Sequence, residues 1–153
     1  MAVRVAICLS ILLAFGGFAA AQEPSPGPEP ILETGELMVM VIKPAYDELQ
    51  RAMATPPSDR RQWAQLFQKA ARLAEFENLI LFRPHERSDR PEWKTLATNA
   101  RKATAAVASA TLKALANAND ANFEGIKKAY EDVSARCNAC HRAMSREAPT
   151  IRP

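Results

Sequence analysis

Cys137, Asn138, Ala139, Cys140 and His141 set two thiols three residues apart with an imidazole directly behind the second. This spacing is the attachment signature of a c-type haem. Its chemistry dictates the residue types: the sulfurs add across the two vinyl groups of the macrocycle to give thioethers, and the neighbouring imidazole reaches the iron as an axial ligand. At about 100° per residue on a helix, positions 137, 140 and 141 fall within an arc of roughly 100°. All three groups then point toward one flat cofactor.

Two other chemistries use paired cysteines. A redox disulfide of this spacing belongs at the start of a helix in a strand-helix-strand setting, and no strand pattern precedes it here. Zinc needs a fourth ligand, whereas the only other histidine is His85 and the chain has no second cysteine pair. Haem is the favoured reading, with disulfide and metal as its alternatives.

Before any of these groups can act, the chain has to reach the compartment that suits it. Met1 to Ala21 reads as a secretory signal: Arg4 near the start, an apolar run from Val5 to Phe18, then Ala19, Ala20 and Ala21 before Gln22. The run is too short and too broken by glycine for a good membrane span, and Cys8 inside it leaves with the signal. Residues 22–33 open with QEPSPGPEP, a proline-rich tether expected to stay extended and mobile. With 20 basic and 17 acidic residues, the net charge of +3 indicates neither a nucleic-acid platform nor an acidic tail.

From residue 34 to 148 the patterning is helical, with no alternating strand run and no fixed repeat. Helix A spans about Thr34 to Met53, and Pro44 should kink it or begin a second helical piece. Taking Met38 as zero, Val41, Ile42, Ala45 and Leu49 cluster within roughly 100° of it, while Met40, Lys43 and Asp47 point the other way. Helix B begins near Ser58, the expected N-cap, and carries Trp63, Leu66, Phe67, Ala70, Leu73 and Ala74 at three- and four-residue spacings to about Leu81. A polar loop over Arg83 to Ser88 follows.

Helix C starts at Asp89 or Arg90 with Pro91 in its first turn, and its stripe of Trp93, Leu96, Ala100, Val107, Thr111 and Leu115 reaches to about Ala116. Asp120 is the expected cap of helix D. There Phe123, Ile126, Tyr130, Val133, Cys137, Cys140 and Met144 alternate three and four apart, the pattern of a bundle seam. The haem cysteines thus occupy seam positions. Helices of roughly 20 to 28 residues joined by short connections predict an all-α, antiparallel up-down-up-down four-helix bundle, with haem near the C-terminal helix and a disordered tail over 149–153.

His141 covers one face of such a haem, and Met38 is the candidate sixth ligand on the other. A thioether there raises the reduction potential and suits an electron carrier, whereas an open position suits a small gas. The bland alternative for Met38 is a core gap-filler. Tyr130 is expected to pack at the haem edge, and His85 reads as a solvated loop residue. Arg136, Arg142 and Arg146 surround the signature as partners for propionates, a docking rim, or a plain solvated face.

With CNACH at the end of a fourth amphipathic helix and methionine in the first, the chain resembles the class II c-type cytochromes, the cytochrome c′ group and its low-spin, methionine-ligated relatives. The resemblance covers about Glu36 to Arg146. It implies one covalent haem c, with Cys137 and Cys140 as thioether sites, His141 as proximal ligand, and helix A around Leu37 to Val41 supplying the distal face. Two departures stand out: Met144 and Ser145 replace the usual aromatic-arginine pair, and Pro44 interrupts helix A.

The function expected is a periplasmic one-electron carrier, not an enzyme, that meets a redox partner protein and neither nucleic acid nor the membrane interior. Pairing into a homodimer through a helix A and B face, with Trp63 or Phe76 contributing, is implied by the family. A five-coordinate gas-binding or sensing cytochrome and a haem-free helical module with a Cys137–Cys140 disulfide are the rival functions.

Overall fold

The computed structural model describes residues 29–83, 90–117, 121–145 and 147–153. The expected signal, the first part of the tether, His85, Asp120 and Arg146 lie outside the described residues. Among the described residues all regular elements are helical and none is a strand.

The first rod is built of three pieces: α1 (Thr34–Leu37), a π-helical turn (Met38–Ile42) and α2 (Lys43–Met53). Pro44 has no N–H for the preceding turn and its ring crowds the carbonyl four residues back. A second helical piece does begin at Lys43, and the preceding turn widens so that the Lys43 N–H reaches the Met38 carbonyl five residues earlier. The extra residue shifts the phase. Leu37 and Ile42, five apart, are both buried, while Val39 and Met40 are exposed and Met38 packs partly buried against the core. Helical phase therefore selects Met38 over Met40 as the inward residue, but it misses Leu37.

Helix α3 (Arg60–Asn78) runs into a 3-10 turn (Leu79–Phe82). Its cap is Asp59 rather than Ser58, with Asp59 Oδ1 accepting the Gln62 N–H at 2.7 Å. The Ser58 N–H instead donates to Gln62 Oε1 at 2.9 Å, so both exposed amides are satisfied across the helix start. Asp59→Ala is expected to lower stability by about 1 kcal/mol. A thermal melt unchanged from the parent would show that the cap contributes nothing.

Helix α4 (Trp93–Ala116) and helix α5 (Phe123–Met144) complete the architecture, the latter capped by Asn122 Oδ1 accepting the Gly125 N–H at 2.9 Å. Helix α4 packs along both α3 and α5. Ala97, Ala100, Ala103, Ala108 and Ala114 on its buried face let the backbones come close. Leu49, Leu73, Val107 and Val133 place one wholly buried side chain from each rod at the centre. Burying such a side chain contributes about 1.5–3 kcal/mol. Trp63, a residue expected to contribute to an interface, belongs to this core: it is buried and meets Phe123 edge-on, with ring centroids 6.3 Å apart. Phe76 is partly buried against the same cluster.

Two stretches that read as loose in the sequence are held by hydrogen bonds. Arg83 is buried; its Nε and Nη2 donate to the Leu32 carbonyl at 3.2 and 3.1 Å, and Nη1 donates to the Leu79 carbonyl. That fixes the last residues of the expected tether against the end of the 3-10 turn. The segment 149–153, expected as a tail, is likewise docked. The Asn138 side chain bonds both backbone groups of Ile151 at 2.8 Å each, and the Arg152 carbonyl accepts from Tyr46 Oη at 2.8 Å and Gln50 Nε2 at 3.0 Å. Ile151 packs against the core, so apolar burial accompanies these bonds.

Candidate haem-attachment site

The seam periodicity of α5 places Ile126, Tyr130, Val133 and Cys140 in the interior, with Phe123, Cys137 and Met144 partly buried against it. Cys137 and Cys140 thus share the core side of the helix, and His141 is half-buried beside them. Neither cysteine forms a disulfide. Burial, helped by the nearby Glu77 and Cys140, pushes the Cys137 thiol up to about 12. It therefore stays protonated near neutral pH, unlike the depressed thiols of redox disulfides and thiolate metal sites.

His141 Nδ1 lies 2.9 Å from the Pro149 carbonyl. A carbonyl only accepts, so in this contact Nδ1 is the donor, and Nε2 is the ring nitrogen left outside it. Tyr130 is buried and stacks on Tyr46, with centroids 5.7 Å apart and planes 28° from parallel. This pair and the segment 149–153 bridge α5 to the first rod. Helix α5 otherwise packs mainly along α4.

Met38 comes from a different element than the signature. Its π turn packs on α3, and its side chain joins the same core cluster as Cys137, Cys140 and Tyr130. Arg136 pairs with Asp132 at 3.1 Å on the exposed face, and Arg142 is also exposed, so both take part in a solvated surface.

Sequence reasoning misses Glu77, although the signal is there. It follows Ala70 and Leu73 on the buried stripe of α3, is 1% exposed, and its Oε2 has no hydrogen-bond partner. Burial pushes its carboxyl up to about 7, against the opposing pull of the Thr104 hydroxyl and the Arg101 charge. Asn138 is the second omission, a spacer within the signature whose amide fastens Ile151 to α5.

The donor set fits a covalently held haem. Two thiols not joined in a disulfide lie on the core side of one helix, a neighbouring imidazole keeps Nε2 outside its contact with Pro149, and the flanking side chains are apolar or aromatic. Among the described residues no three or more of His, Cys, Asp and Glu gather into a group able to hold a metal ion. No helix among the described residues is long and apolar enough to cross a membrane. Comparisons with protein-family models, curated proteins and solved structures return no match to the chain.

Proposed function

We propose that the chain is a monohaem c-type cytochrome similar to the class II group, exported to the periplasm and carrying single electrons to or from a redox partner protein. The observation that carries this reading is the position of Cys137 and Cys140 on the core seam of α5, beside a His141 whose Nδ1 meets the Pro149 carbonyl and whose Nε2 takes no part in that contact. Helix-by-helix packing and short connections support an antiparallel up-down-up-down order, with the cofactor on α5. When bound, the haem supplies a one-electron iron couple.

The protein's part is to hold and shield that group. Cys137 and Cys140 fasten it, His141 provides the proximal ligand, Tyr130 lines its edge, and the apolar seam excludes water. Met38 is the proposed sixth ligand, since its helical phase turns it to the core while Met40 is 63% exposed. Residues 1–21 direct export, and the near balance of charge is consistent with a protein partner rather than a nucleic acid.

Co-expression with haem-attachment machinery, followed by a pyridine haemochrome assay, tests the cofactor. A haem-free product points instead to a helical interaction module with a Cys137–Cys140 disulfide. Met38→Ala tests the sixth ligand: the far-red methionine-iron absorption of the parent disappears, the iron becomes high-spin, and the reduction potential falls because a thioether favours ferrous iron. High-spin spectra in both proteins sink the ligation and turn the function toward five-coordinate gas binding or sensing.

A further inference from the structure

Segment 149–153 meets the signature at its first residue and is fastened at two places after it. The reciprocal Asn138–Ile151 pair ties it to α5, with both distances at 2.8 Å. The Arg152 carbonyl, taking bonds from Tyr46 and Gln50, and the Pro153 carbonyl, 3.2 Å from Gln50 Nε2, tie it to α2. Ile151 itself is partly buried against the core. Two residues before the first of these ties, the Pro149 carbonyl sits 2.9 Å from His141 Nδ1.

We propose that residues 149–153 form a positioning strap for the axial imidazole, in which the Pro149 carbonyl takes the Nδ1–H of His141 and so fixes the tautomer and orientation that present Nε2 to iron. The strap's effect on iron rests on the cytochrome reading; its hydrogen bond does not. An imidazole that donates from Nδ1 to a carbonyl is a stronger electron donor through Nε2. The strap therefore favours ferric iron and lowers the potential, opposing the thioether on the far side. Asn138, Tyr46 and Gln50 act through Pro149 and are positioning residues.

The test compares the full chain with a version ending at Ala148 and with Asn138→Ala, which keeps the segment but unhooks it from α5. Circular dichroism establishes that the helices persist, and Asn138→Ala decides the matter if the shortened chain does not fold. Nitrogen-15 NMR of the labelled histidines is expected to find His141 protonated at Nδ1 in the full chain. In the variants, exchange of that proton with solvent should speed up roughly tenfold, as loss of one hydrogen bond predicts. In the haem-loaded variants the midpoint potential rises, and the iron-histidine stretching frequency, read on ferrous protein in a Met38→Ala background, falls.

An Nδ1 found unprotonated in the full chain, or exchange and stretching frequency unmoved in folded variants, overturns the strap. Haem content is read separately by pyridine haemochrome. Absence of haem together with a protected Nδ1–H overturns the cytochrome reading and leaves the strap in place.

Discussion

Under the attachment proposed above, Cys137→Ser combined with Cys140→Ser is expected to leave no covalently held haem, so that acidified acetone extracts the pigment completely. Each single change leaves one thioether, and the pyridine haemochrome band moves to that of a macrocycle with one remaining vinyl. The size of the effect follows from the bond concerned: a thioether is either formed or absent, and no neighbouring side chain substitutes for it. Serine is the apt replacement because its hydroxyl is close in size to a thiol. At these helical positions it can also bond the carbonyl of the preceding turn. The helical circular dichroism of the double variant should therefore match the parent, which separates loss of attachment from loss of fold. Pigment that resists extraction from the double variant would remove the basis for the attachment reading.

Glu77→Gln should stabilise the protein at pH 8 and leave it nearly unchanged at pH 4. The carboxyl is raised from 4.5 to about 7 by burial. In the unfolded chain it ionises near 4.5, so between these values the folded state binds the proton more strongly. Stability from this group is complete below pH 4.5, declines as pH rises, and is gone above about 7. At about 1.4 kcal/mol for each tenfold change in proton affinity, the loss amounts to about 3 kcal/mol. Glutamine keeps the shape and the capacity to accept from Thr104, yet has no charge to bury. Urea unfolding of both proteins at the two pH values measures the difference. An equal gap at pH 4 and pH 8 would show that Glu77 titrates as an ordinary surface carboxyl.

The legible parts of this molecule are those that leave a periodic trace. The α5 seam, the α3 stripe and the choice of Met38 over Met40 all follow from counting residues against 3.6 per turn. What escapes has identifiable causes. Leu37 lies beyond the π turn, where one extra residue breaks the count. Glu77 occupies a predicted interior position, but its charge argues for the surface and outweighs its phase. Arg83 and segment 149–153 are placed by side-chain to backbone hydrogen bonds between residues far apart in sequence, and such bonds leave no pattern in either partner. The signature itself is plain in the sequence; the Pro149 carbonyl that meets His141 is not.

The docking of 149–153 also joins the two ends of the helical order. Asn138 holds the segment on the last helix, while Tyr46 and Gln50 hold it on the first rod. The segment is therefore a clasp: separating α2 from α5 along this path requires breaking its hydrogen bonds.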